Sequence, residues 1–206
     1  MTPVPRYVTW ALVITKQPFI MTLGIIFIQR SNLLIACGSY GKDRFETLFF
    51  ESDVIMRRSE KEITDKAEVE EIIRKSLVCR LALVDGERPY IVPLCFGYQD
   101  NTLYFHSARE GKKLELLKTN PNVCFEFDTD TELQQGKSAC DWGMTYRSVI
   151  GFGDATLVEG IEDKRHALDI IMRQYAEGTF DYTDAVLKGT AVIKVDISAM
   201  TGKRSA

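Results

Sequence analysis

Histidine and cysteine are scarce in this 206-residue chain: it has two histidines, His106 and His166, and five cysteines with no CxxC pair. Two histidines exclude a histidine-rich metal centre. An odd set of widely spaced thiols (Cys37, Cys79, Cys95, Cys124 and Cys140) argues against a disulfide framework or a zinc site, and for a reducing, cytoplasmic compartment. Cys79, Cys95 and Cys124 lie in apolar runs, where a buried thiol acts as a small hydrophobe, so they are expected in the core. No excess of positive charge exists either. The chain carries a net charge of −3 and residues 56–206 carry −4. Without a dense basic stripe, sequence-independent nucleic-acid binding is set aside. No Ser/His/Asp triad and no paired-carboxylate constellation stands out, so any catalysis should come from a bound cofactor. The composition, 45% hydrophobic and 27% charged, is that of an ordinary globular protein with one main domain and an appendage.

The appendage is the first 55 residues. Tyr7 to Ile28 is about as long as a membrane span, yet Lys16, Gln17 and Pro18 stand at its centre. A mid-bilayer lysine costs roughly 2.5–3.5 kcal/mol, which makes the span marginal and argues against a membrane protein. Three readings stand: a weak membrane anchor, an extra folded segment, or an extension from a misplaced start. The last is favoured because a polar, helix-forming sequence begins at Met56, where the domain is expected to start and run to Arg204.

From Thr64, read as an N-cap, apolar residues Val69, Ile72, Ile73 and Leu77 at helical spacing predict a helix over 65–76. Strands follow at 79–84 and 89–98, joined by a turn at Asp85-Gly86, and a third at 103–107. Pro93 inside the second strand predicts a sheet edge, a bulge or a cofactor contact. A short helix from Gly111 to Lys118 stops before Asn120-Pro121, and strand four covers 123–128. Residues 129–143 are polar and aperiodic and are read as a long loop. Ser148 to Val158 is a strand in which Gly151 and Gly153 mark a bulge or close backbone approach. Glu162 to Tyr175 is a helix, and 190–197 the last strand. Six strands joined largely by tight turns predict a mainly β, α+β fold: a six-stranded antiparallel barrel with peripheral helices.

Chemistry concentrates in FHSAREGKKLELLKTNP at 105–121, where a strand ends in His106-Ser107, a loop carries Arg109 and Gly111, and Lys112-Lys113 open a helix. Free N–H groups at a helix start favour an anion, and Ser107, Arg109, Lys112 and Lys113 add donors suited to phosphate. A solvated helix start is the competing reading.

This segment resembles the signature of the pyridoxamine-phosphate-oxidase-like FMN-binding split barrels. With CRLALVDGERPYIVPLCFGYQDNTLYFHSAREGKK, WGMTYRSVIGFGDATLVE and the closing TGKR, it is similar to the Nim branch, the nitroimidazole-reductase-related flavoproteins. The resemblance covers Met56 to Arg204. It implies a split barrel with FMN at a homodimer interface, the phosphate met by Ser107, Lys112 and Lys113, and the ring lined by backbone around Pro93 and Leu94. Ser148 stands where the oxidases carry a flavin-contacting glutamine, and their pyridoxal-phosphate residues are not recognisable, so true pyridoxamine-phosphate oxidase activity is not implied. His106 matches a Nim-type histidine near the flavin, able to orient substrate or pass a proton. Trp142, Met144 and Tyr146 could cover the ring. The implied activity is reduction of a small nitro-aromatic or quinone-like acceptor, with NAD(P)H as a candidate donor. A non-catalytic flavin- or haem-binding protein is the alternative.

Overall fold

The computed structural model describes residues 57–205 and, before them, the backbone of two short antiparallel strands, β1 (Ile25–Gln29) and β2 (Asn32–Ala36). The chain divides into a unit of residues 1–55 and a unit of residues 56–206. Lys16, Gln17, Pro18 and Cys37 lie outside the described residues. Among the described residues no helix is long and apolar enough to cross a membrane.

The second unit runs β3 (Glu62–Ile63), α1 (Lys66–Lys75), β4 (Cys79–Asp85), β5 (Arg88–Leu94), β6 (Gly97–Gln99), β7 (Thr102–Ala108), α2 (Lys112–Thr119), β8 (Asn122–Gln134), β9 (Gly143–Val158), α3 (Ile161–Arg173), α4 (Asp184–Gly189) and β10 (Thr190–Ser205). Its strands form one antiparallel sheet in the order β5-β4-β8-β9-β10-β7-β6, with β3 on β10. The mainly β expectation holds, but the sheet has eight strands instead of six and does not close. β3 is a two-residue pairing that buries Ile63, and it moves the α1 cap from Thr64 to Asp65, whose carboxylate accepts from the Ala67 N–H. β6 is the far end of the predicted second strand. The chain breaks at Cys95-Phe96, where the Phe96 N–H donates to the Tyr175 hydroxyl at 2.8 Å instead of to a strand. Gly97 then lies so close to α3 that a Cβ would sit 2.6 Å from the Ile171 nitrogen. Cys95 consequently is exposed, against expectation, while Cys79 is buried and Cys124 half-buried.

The predicted 129–143 loop is mostly strand. β8 continues to Gln134 and pairs with the start of β9 (Glu132 with Thr145, Leu133 with Met144), leaving only 135–142 as a connection. This arm has no core beneath it, so its residues show no apolar alternation. A register shift between Thr129 and Glu132, with Asp130 at φ 55°, sets its direction, and Arg147 pins Asp130 at 2.6 Å. Gly151 fulfils the close-approach reading: a Cβ there would meet the Phe125 ring. The bulge lies opposite, in β10 between Ile197 and Ala199, and β10 continues past it to Ser205.

One sheet face is filled. Leu81, Leu103, Phe105, Phe125, Phe127, Val149, Ile193 and Val195 are fully buried there, with Val69, Ile72 and Ile73 of α1 and Leu114 and Leu117 of α2. The opposite face is shared between α3 with α4, which cover Val192 and Val158, and a stretch carrying the exposed Val84, Ile91, Ile150 and Phe152, bare among the described residues.

Candidate functional site

α2 begins four residues after β7 ends and packs against β4, so it carries the basic segment from one side of the open sheet to the other. Its N-cap is Gly111 at φ 133°, a backbone that disfavours any side chain, and no side chain caps the helix. The Gly111 carbonyl is used by the N–H groups of Leu114 and Glu115. The N–H groups of Lys112 and Lys113 are among those a helix start leaves without an intrahelical partner. Ser107, one strand-end away, is 8% exposed, and its hydroxyl is buried without a hydrogen-bond partner among the described residues. A buried polar group left unmatched costs about 1–3 kcal/mol, which marks this hydroxyl as built for something not supplied by its neighbours.

The lysines divide. Lys112 turns to the β4–β5 hairpin: its Nζ lies 2.5 Å from the Asp85 carboxylate and 5.0 Å from the centre of the Tyr90 ring. The hydrogen bond to Asp85 raises its pKa, so it stays charged. Lys113 is half-buried and makes no ion pair with another described residue. Asp85 and Tyr90 were not singled out in the sequence, since a turn aspartate and a strand tyrosine carry no motif.

From Tyr90 the edge strand leads on to Pro93, three residues or about 10 Å away. Among the described residues β5 pairs with β4 alone, which makes it an edge strand and matches the edge reading of Pro93. Pro93 stands on the bare face, in a row with Arg80 and Glu126, while Leu94 pairs with Cys79 and packs toward the core. Only the backbone of Leu94 is therefore available to a ligand. Arg80 bonds both Glu126, at 2.9 Å, and Asp128. Ser148 lies in the next row, opposite Asp128 on β8 and Lys203 on β10. Burial raises the pKa of Glu126 and Arg80 offsets part of that. Arg147 beside it is a structural cation, bonded to Asp130 and near Glu71. Ile91, Ala82, Cys124 and Phe152 make a further row, and Ala82, Cys124 and Phe152 with Val84 and Pro89 line a depression of about 430 Å³.

His106 is exposed on β7 opposite Val192, five strand steps from β5 along the sheet. Trp142 and Met144 are exposed at the tip of the β8–β9 arm, with Tyr146 half-buried at its base. Ser107 thus stands at the end of β7 four residues before the Gly111 cap, Lys112 and Lys113 open α2, Lys112 reaches Asp85 and Tyr90 of the β4–β5 hairpin, and Pro93 lies on the other face of β5 from Tyr90. Within the sheet path Ser148 and His106 lie on other strands.

The family model described as pyridoxamine 5'-phosphate oxidase matches residues 65–204. A candidate 5-nitroimidazole antibiotic resistance protein of Bacteroides thetaiotaomicron is 41% identical, with 69% of this chain and 86% of that one covered and a TM-score of 0.64. A flavocytochrome of Azotobacter vinelandii shares the fold at 18% identity, with 74% and 72% covered and a TM-score of 0.66. An uncharacterized protein of Rhizobium meliloti (strain 1021) is 28% identical over 76 residues, 37% of this chain, and that match spans half the length of the curated relative. The chain therefore belongs to the pyridoxamine 5'-phosphate oxidase family, alongside its nitroimidazole-resistance-related members.

Proposed function

We propose that the chain binds FMN and works as a flavin-dependent oxidoreductase on a small nitro-aromatic or quinone-like acceptor, with NAD(P)H as donor, as a homodimer in the cytoplasm. The observation that carries this reading is the partnerless Ser107 hydroxyl beside an uncapped, basic helix start. That donor set fits a phosphate monoester: a hydroxyl, backbone N–H groups and the Lys113 ammonium are all donors, as a dianion requires. Bound there, the flavin would supply the hydride or electron transfer.

The chain's own residues bind, orient and shield. Ser107, Lys113 and the first α2 N–H groups hold the phosphate, while Lys112, held by Asp85, adds field more than a direct bond. Tyr90 lies beside Lys112 on the core side of β5, whereas Pro93 and Ser148 stand on the opposite face, so backbone along β5 is what joins the two. A second subunit covering Val84, Ile91, Ile150 and Phe152 would exclude water from that face. His106 would hold a proton on its imidazole for delivery to the reduced acceptor.

A titration by flavin fluorescence tests the phosphate assignment. Each charge-assisted bond to a buried anion contributes roughly 1.5–3 kcal/mol. Ser107→Ala with Lys113→Ala should weaken FMN about a hundredfold or more, since 1.4 kcal/mol is tenfold. Lys112→Ala should weaken it less, and riboflavin should not respond to either change. Unchanged FMN affinity in the double variant would place the phosphate elsewhere, and a Soret band in the purified protein would replace flavin by haem.

A further inference from the structure

The β8–β9 arm holds one extra residue at its root, and that residue decides which way the arm faces. Between the pairs Thr129–Arg147 and Glu132–Thr145, β8 takes three residue steps while β9 takes two. An insertion of one residue turns every later side chain on its strand to the other face. β9 itself runs through without one, so Met144, Tyr146, Ser148, Ile150 and Phe152 share the outer face at alternate positions. In a regular β8, Leu133 would stand on the core side with Thr129. Displaced by the extra residue, it pairs with Met144 on the outer side instead. Leu133, Met144, Ile150 and Phe152 are all exposed there, and the outer face of β9 from Met144 to Phe152 is about 27 Å long at about 3.3 Å per residue.

The bulge is held from behind. Asp130 stands in it at φ 55°, a left-handed backbone that is costly for a β-branched residue and open to aspartate, asparagine or glycine. The Arg147 Nε–H donates to the Asp130 carboxylate at 2.6 Å, and the same guanidinium lies 3.5 Å from Glu71 and 3.7 Å from Glu68 on α1. Arg147 alternates with Met144 and Tyr146 along β9 and shares the core side with the buried Val149. It therefore ties the arm root to α1 on one face and leaves the apolar side chains of the arm on the other.

We propose that the Asp130 bulge, held by Arg147, makes the arm an extension of the bare sheet face, and that a second copy of this chain docks on the whole of it, arm included. Charge selects this occupant. The rows between Phe152 and Met144 carry Arg80 and Lys203 with Glu126 and Asp128, two cations and two carboxylates. A two-fold contact sets one surface against itself and suits a face with equal numbers of each sign. A strongly acidic or basic partner would set like charge against half of these groups. The inference rests on the homodimer of the proposed function and adds the device that shapes its surface.

The test compares the full-length wild type with Asp130→Val, Asp130→Asn and Met144→Asp. Sedimentation equilibrium gives the dimer dissociation constant, and nuclear magnetic resonance reads the through-space contact between the Leu133 and Met144 methyl groups. Asp130→Val should abolish that contact and weaken the dimer at least tenfold. Asp130→Asn, which tolerates the left-handed backbone but loses the charge, should weaken the dimer by less and keep the contact. Met144→Asp, an exposed change outside the bulge, should weaken the dimer at least tenfold, and it tests the arm by itself should Asp130→Val not fold. A wild-type dimer indifferent to Met144→Asp overturns the docking of a copy on the arm. A methyl contact that persists in Asp130→Val overturns the bulge as the device. A wild type that is monomeric throughout overturns the homodimer as well, so the two failures are told apart.

Discussion

The same outer sheet face is treated in two ways. Where β9, β10 and β7 meet, Val158 and Val192 are covered by Leu168 and Ile171 of α3 and Leu187 of α4, and Val192 is fully buried. Where β5, β4, β8 and β9 meet, Ile91, Val84, Ile150 and Phe152 are of similar character and are 59%, 45%, 46% and 43% exposed. Val158 and Val192 in one half and Val84, Ile91, Ile150 and Phe152 in the other are alike in kind, so these side chains alone do not decide which half is covered. The cover does: α3 and α4 have the right length and one apolar stripe for one half only. A largely apolar sheet face that no other described residue covers, beside an edge strand, is a surface suited to a partner.

The comparison breaks most visibly at Leu187. It has no exposed surface and fills the space between α4, α3 and β10, so Leu187→Ala should lower unfolding free energy by about 2–5 kcal/mol in urea titration. A loss below about 1 kcal/mol would mean that the α3–α4 cover is loosely packed and that the two halves differ less than described.

How much of this was legible beforehand follows the same division. The elements that pack on the core announced themselves by period: Val69, Ile72 and Ile73 in α1, alternating Cys79, Leu81 and Leu83 in β4, and Leu114 and Leu117 in α2. Pro93 narrows β5 to an edge, a bulge or a ligand contact because a proline cannot donate to a ladder, and the sheet has it at the edge. The β8–β9 arm looks like a loop in the sequence because a strand with no core face need not alternate. α4 is short and was missed, although Thr183 caps it by accepting from the Val186 N–H. At the site, Ser107, Lys112 and Lys113 were legible as a hydroxyl and two cations at a helix start. Their division was not, because Asp85 is 27 residues from Lys112 in the chain and meets it only through the packing of α2 on β4.

A smaller effect separates the cover from what ties it to the sheet. Tyr175, just beyond α3, accepts from the Phe96 N–H at 2.8 Å and donates to the Leu77 carbonyl at 3.0 Å. Tyr175→Phe would leave that N–H without its partner and should cost about 1–3 kcal/mol at neutral pH. Burial pushes the Tyr175 hydroxyl up to about 12, and burial followed by the Glu70 carboxylate does the same to Tyr98. A free tyrosine ionises near about 10, so between about pH 10 and 12 the unfolded chain has released protons that the folded chain retains. Both contributions are therefore present below pH 10 and are lost as pH rises to 12. The urea midpoint should fall between pH 8 and pH 11, and by less in the Tyr175→Phe variant. Equal falls in both proteins would show that Tyr175 ionises as it does in water.

The smallest effect on stability should come from the bare half. Ile91→Asp with Phe152→Ser changes two exposed side chains with no helix above them, and a surface change of this kind alters monomer stability by about 0.5 kcal/mol or less. Its consequence should appear in assembly. If a second copy covers this face, the wild type should sediment at twice the chain mass of 23.4 kDa and the variant at the chain mass, because a buried carboxylate without a cation opposes the contact. FMN affinity should drop with it, since Pro93, on the same face, would lose its cover. A variant that still sediments as a dimer would move the interface away from β4, β5 and β9. A wild type that sediments as a monomer while holding FMN tightly would leave the bare half to a different occupant and confine the flavin site to one chain.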